Sequence, residues 1–104
     1  MILYKQKRGK KMITTQQLLD EMHLDKSETP QIESLIAFSR DYIVSTTAKG
    51  ATIEDVIAKT NEKIFDQATK SIVNSLYFGS VEQSGFGIQS MVLLNAIRNM
   101  YQGA

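Results

Sequence analysis

Apolar residues in this chain recur at helical rather than strand spacing, in separated blocks. The first block is short. Thr14 or Thr15 suits an N-cap, and Leu18, Leu19 and Met22 share one side of a helix over about 15–23. The polar stretch Asp25-Lys26-Ser27-Glu28 then breaks the pattern. Thr29 and Pro30 read as the cap and first position of a second helix, about 30–46, because a proline there gives up only an N–H that has no helical partner. At 100° per residue, Ile32, Leu35, Ile36, Phe38, Ser39, Tyr42 and Ile43 share an arc of about 160°. Glu33, Ser34, Arg40 and Asp41 lie opposite, and Val44 falls on that polar side. The helix is expected to fade around Ser45-Thr46-Thr47, with Gly50 free to take positive φ.

Thr52-Ile53-Glu54-Asp55 resembles a capping box with Asp in place of Glu, opening a short extra helix near 53–59. Asn61 caps a third main helix, about 61–78. Its stripe is Ile64, Phe65, Ala68, Ile72 and Leu76, with Val73 and Tyr77 in a second row, and Gly79 ends it. The last helix, about 88–101, is apolar nearly all round. Leu93, Ala96, Ile97, Met100 and Tyr101 take one side, Ile88 and Val92 another, and Met91 a third. Apart from a short strand that Ser45 to Thr52 could hide, no alternating run bounded by hairpin turns stands out. The expected fold class is all-α, a small bundle of four main helices in a single domain over 12–104.

A helix that is apolar on several sides must be covered on several sides, and a chain of 104 residues has limited means to do so. Self-association follows as the economical expectation. The residues left over from the core stripes are the candidate subunit interface: Val44, Val73, Tyr77, Ile88, Met91 and Val92.

Composition narrows the chemistry. Hydrophobic residues make up 42% and charged ones 22%, as in ordinary globular chains, and there is no cysteine and one histidine. Disorder and a disulfide scaffold are disfavoured, and a zinc site of four Cys and His ligands is excluded by count. His23 alone reads as a surface or capping residue. No hydroxyl or lysine is spaced to pair with a base, and Asp20-Glu21 and Glu54-Asp55 read as solvated or first-turn charge. Gly85-Phe86-Gly87 is too short for a phosphate-binding loop. No enzyme, cofactor or metal is expected. The longest apolar run, Met91-Val92-Leu93-Leu94, is far short of a membrane span, and Met1-Ile2-Leu3-Tyr4 runs straight into lysines without a signal-peptide core. The expectation is a soluble product with no membrane partner, intracellular or packed into a particle assembled inside a cell.

The formal charge of +1 hides an asymmetry. Residues 1–11 hold Lys5, Lys7, Arg8, Lys10 and Lys11 with no acid, which leaves 7 basic against 11 acidic groups, net −4, over 12–104. Lacking apolar periodicity, residues 5–11 are expected to be a flexible arm. They could touch DNA phosphates, be an inert tail, or be a start-site artefact ahead of Met12-Ile13-Thr14-Thr15. An acidic body is unlike a domain that grips nucleic acid across its surface. A helix-turn-helix regulator, with 15–23 and 30–46 as the helix pair, is the alternative. Against it, the connector Leu24 to Thr29 is long, and the would-be recognition helix carries no cation before Arg40. That reading predicts salt-dependent DNA binding through Arg40 and the arm. A helical accessory subunit for an unrelated partner is a third possibility.

Thr15-Gln-Gln-Leu-Leu-Asp-Glu-Met-His-Leu-Asp25, an acidic spacer, and Gln31-Ile-Glu-Ser-Leu-Ile-Ala-Phe-Ser-Arg-Asp-Tyr-Ile43 together resemble the opening of the head–tail connector family of long-tailed bacteriophages, also called adaptor or head-completion proteins. Ile72-Val-Asn-Ser-Leu-Tyr77, Phe86-Gly87 and the helix from Ile88 to Tyr101 resemble its later elements. Ser39 stands where that family usually has alanine, and residues 48–63 match it poorly. The resemblance implies a virion protein at the head–tail junction, assembled in the host cytoplasm as a ring of identical subunits. Its partners would be the portal and the stopper or tail-completion protein, with DNA passing through the channel without sequence-specific binding.

Overall fold

Three short polar side chains set where helices begin. Thr14 Oγ1 accepts from the Gln17 N–H at 3.1 Å while Gln17 Oε1 accepts from the Thr14 N–H at 2.9 Å, a reciprocal capping box. Thr52 Oγ1 accepts from the Asp55 N–H and Asn61 Oδ1 from the Ile64 N–H, each at 3.1 Å. The computed structural model describes residues 12–79 and 87–103. They form α1 (Thr15–Glu21), a 3₁₀ turn (Lys26–Glu28), α2 (Thr29–Thr47), α3 (Ile53–Lys59), α4 (Glu62–Tyr77) and α5 (Ile88–Gly103). Among the described residues there is no strand, and no helix is long and apolar enough to cross a membrane. The fold is all-α. It has three long helices and two short ones, since α1 spans no more residues than α3.

Several boundaries differ from the sequence expectation. Thr29 is the first residue of α2 rather than its cap, because the 3₁₀ turn runs directly into the helix. The turn is capped instead by Asp25, whose carboxylate accepts from the Ser27 N–H at 3.0 Å. At the end of α1, His23 adopts φ +59°. Its N–H donates to Asp20 O at 3.2 Å, and the Leu24 N–H donates to Leu19 O at 2.9 Å, the paired closure of a Schellman motif. The only histidine therefore occupies a left-handed position that glycine usually fills. Gly79 takes the same conformation beyond α4, at φ +69°.

α2 and α4 pack along each other and each serves two apolar clusters. Ile32 and Ile36 of α2 and Val73 of α4 close on Ile13, Leu18 and Leu19. One to two turns further, Ile43 and Val44 of α2 meet Phe65, Ala68 and Ile72 of α4, Val56 of α3, and Leu94 and Ile97 of α5. Each fully buried apolar side chain of this size contributes roughly 1.5–3 kcal/mol. The buried face of α2 runs Ile32, Ile36, Ser39, Ile43, Thr47. Phe38, expected in the core stripe, is instead 47% exposed. Val44, expected on the polar side, is buried because α3 folds back onto that side of α2. The buried hydroxyls of Ser39, Thr47 and Thr69 bond to carbonyls one turn back in their own helices, at 2.7, 2.8 and 3.0 Å, so burying them leaves no unpaired group.

The chain enters the fold through a clamp. Ile13 is buried, its N–H donates to Asp66 Oδ1 of α4 at 3.1 Å, and its carbonyl accepts from an Arg40 guanidinium nitrogen of α2 at 2.6 Å. Burial holds the Asp66 carboxyl above its usual range, although the Ile13 N–H and Arg40 pull the other way. Burial likewise lowers the Arg40 pKa, partly offset by Asp66.

Candidate functional site

α5 is held by polar contacts along its length, and those contacts decide which face it turns outward. Near its start, the Ser71 and Ser90 hydroxyls meet at 2.5 Å, so two small residues let α4 and α5 approach closely. Near its end, Arg98 Nε donates to Thr46 O at 2.9 Å in the last turn of α2, and Tyr101 donates to the Asp55 carboxylate of α3. The Tyr101 hydroxyl, with smaller help from Lys59, holds the Asp55 carboxyl below its usual range, and Asp55 in turn raises Tyr101. Ser90, Leu94 and Ile97 thereby face inward and are buried. Ile88, Met91 and Val92 face the other way and stand 78%, 50% and 60% exposed. Three large apolar side chains within five residues, at i, i+3 and i+4, form one patch.

The six candidate interface residues thus divide. Ile88, Met91 and Val92 lie together on the surface. Val44 and Val73 do not belong with them: both are core residues of the single chain, Val44 beneath α3 and Val73 against Leu18 and Leu19 of α1. The second row on α4 faces α1 rather than solvent. Tyr77 is half-buried, and its hydroxyl donates to Glu28 Oε1 at 2.9 Å. Its ring meets Phe78 edge-on at 5.0 Å, and Phe78 is 59% exposed. Phe38 and Phe78 are exposed aromatics; the helical pattern put Phe38 in the core stripe and gave Phe78 no place. Phe78 has no periodic signal because it follows the last residue of α4.

Lys5, Lys7, Arg8, Lys10 and Lys11 lie outside the described residues, as do Gly85 and Phe86. Arg40, the cation on which a DNA-reading α2 would depend, is committed to the Ile13 carbonyl. The exposed positions of α2, among them Gln31, Glu33, Ser34, Ala37 and Asp41, carry no Lys or Arg to meet a phosphate or a base. Among the described residues no three His, Asp or Glu side chains are grouped to hold a metal ion. A hollow of about 560 Å³ lies along α4 between the end of α1 and the start of α5 and is open and mostly polar, with Lys70, Asn74, Phe78 and Ile88 in its wall. A smaller one of about 240 Å³ adjoins it beside Ile13 and Asp66. The two share Glu21, Gln67 and Lys70, and Glu21 and Lys70 form an ion pair at 3.1 Å. No protein-family model, no curated protein and no solved structure matches this chain.

Proposed function

We propose that this chain is a structural virion protein of a long-tailed bacteriophage. In this reading it assembles as a ring at the head–tail junction beneath the portal, extends the DNA channel and docks the stopper or tail. The observation that carries the proposal is the outward face of α5, where Ile88, Met91 and Val92 remain exposed after the chain has packed its own core. A ring needs a face that one subunit offers to the next in a contact that closes by rotation, and this patch supplies an apolar centre for it. The sequence resemblance to head–tail connectors points the same way and requires no catalytic group. The net charge of −4 over 12–104 suits a channel wall along which DNA slides without sticking. The DNA-binding regulator has weaker support, since Arg40 is engaged within the fold.

The test is mass in solution by light scattering, across concentration and with purified portal added. Rings, alone or on the portal, are expected, and Met91→Glu or Val92→Glu should abolish them while far-UV circular dichroism stays unchanged. A charge buried without a partner in such a contact costs several kcal/mol, enough to dissolve it. Full rings from either variant would remove α5 from the interface. A monomer that ignores portal and shifts with duplex DNA would overturn the proposal.

A further inference from the structure

The contact of Arg98 with Thr46 fixes how α5 lies against α2. α4 runs back along α2, since Ile32 and Ile36 share a cluster with Val73 while Ile43 and Val44 share one with Phe65 and Ala68. α5 begins beside Ser71, toward the Val73 end of α4, and reaches Thr46 with Arg98, so α5 and α2 run in the same direction. Each helix can be followed back from that contact along one face. On α2, Thr46, Tyr42 and Phe38 form a row at steps of four, and Phe38 stacks on Tyr42 with ring centroids 6.1 Å apart. On α5, Met91 stands two turns before Arg98 on the same side. The two steps are about 12 Å and about 10 Å at 1.5 Å per residue, which brings Phe38 level with Met91 along the outer edge of the α2–α5 seam.

The chemistry of that edge selects its partner. Arg98 is the only charged residue of α5, and it is engaged by Thr46 O and by Asn95 Oδ1 at 2.8 Å. The acids of α2, Glu33 and Asp41, lie about 140° around the helix from Thr46 at 100° per residue. With no free cation, the edge has nothing to offer a phosphate or an anionic lipid. Aromatic and methionine side chains without Lys, Glu or Asp are instead the makeup of a protein contact centre. Two bodies that each carry −4 repel, and a face without acids is where one copy can approach another. Size points the same way. Ile88, Met91 and Val92 on one helix are narrow for a contact that takes about 800 Å² from each partner. Phe38, 47% exposed, adds about half of the roughly 150–250 Å² that such a ring can bury, and does so on a second helix.

We propose that the outer edge of the α2–α5 seam is a single docking surface for a second copy of this chain, in which Phe38 and Tyr42 of α2 join Ile88 and Met91 of α5. The inference rests on the reading of α5 as the subunit contact and adds α2 to it.

Full-length wild type, Phe38→Ala, Phe38→Glu and Ala37→Glu are compared by light scattering across concentration, alone and with purified portal, with far-UV circular dichroism as the check on folding. Ala37 is an exposed α2 residue about 180° around the helix from Thr46, so it controls for the added charge. Phe38→Ala should raise the concentration at which the chain assembles by about tenfold or more, as for an aromatic at a contact centre. Phe38→Glu should abolish assembly, and Ala37→Glu should assemble as the wild type does. Folded Phe38 variants that assemble at the wild-type concentration would overturn the proposal, and if Met91→Glu still fails to assemble, the ring would stand on α5 alone. A wild-type dimer, lost in Phe38→Ala, would support the seam and remove the ring. A wild-type chain that stays monomeric alone and binds portal through Phe38 would overturn the proposal by giving the seam to portal, and a chain that stays monomeric and binds nothing would overturn it outright.

Discussion

Val73 and Val92 are the same side chain in two environments, and replacing each by alanine separates core from contact surface. Val73 is fully buried against α1 and α2, whereas Val92 is 60% exposed on α5. Losing one buried methylene typically costs about 0.5–1.5 kcal/mol, so Val73→Ala, which removes two methyls and leaves a cavity, should cost about 1–3 kcal/mol. Val92→Ala removes methyls that mostly face water, so the monomer should change by less than about 0.5 kcal/mol. For a domain of this size, 2 kcal/mol corresponds to a fall in Tm of roughly 8–16 °C. Thermal and urea unfolding, followed by circular dichroism under monomeric conditions, measure both effects. Light scattering then asks the converse question: Val92→Ala should weaken assembly, while Val73→Ala should leave the mass of the folded fraction unchanged. If Val73→Ala unfolds like the wild type and Val92→Ala does not, the packing of α1 against α4 is wrong and the interface argument falls with it.

His23→Gly should raise the unfolding free energy by about 0.5–1 kcal/mol, read as a higher urea midpoint at unchanged slope, since the left-handed conformation costs an L-residue about 1–2 kcal/mol and glycine returns part of that through its freer unfolded state. His23→Ala should bring no such gain, and a gain from alanine would assign the effect to the imidazole instead. Asp66→Asn tests the clamp through pH. Because burial raises the folded carboxyl's pKa, the associated stability is present below 3.8, the ordinary aspartate value, and is lost as pH rises through the raised value. The variant should flatten that decline in the urea midpoint, and a decline identical to wild type would clear Asp66 of it. Asp25 and Asp55 are held below the same ordinary value, by the Ser27 N–H and the Tyr101 hydroxyl respectively, so their losses fall on the acid side of that window. Ser90→Val should overpack the close approach at Ser71 and destabilise by about 1–3 kcal/mol, whereas wild-type stability would mean that α4 and α5 have slack there.

The helices were legible where their ends are written in local chemistry. Thr52, Asn61 and Gly79 each act through atoms within a few residues, so sequence alone places them, and it narrows the first cap to Thr14 or Thr15, of which the structure uses Thr14. Facing was least legible on α2, which is covered from several sides. α2 has four helical neighbours, and a single-stripe wheel therefore put Phe38 inside and Val44 outside, the reverse of their burial in the fold. Val73 was misassigned for a related reason, because a second apolar row can serve either another subunit or another helix of the same chain. The exposure of Ile88, Met91 and Val92 was legible because α5 has more apolar positions than its inward face can use. The Ile13 clamp left no trace in any local pattern. Its partners are separated from Ile13 by 27 and 53 residues, and only the assembled fold brings them together.

Those separations also order events during synthesis. Ile13 leaves the ribosome before either partner, so its carbonyl waits for Arg40 and its N–H waits for Asp66. α1 shares that delay, because Leu18 and Leu19 need Val73 of α4 to close their cluster. A nascent chain therefore carries this segment unfinished until α2 and α4 have emerged, and its contact with Asp66 closes a loop of 53 residues. A segment made before its partners thus settles only after them, and pausing translation between Arg40 and Asp66 should leave α1 more open to protease than in the finished fold.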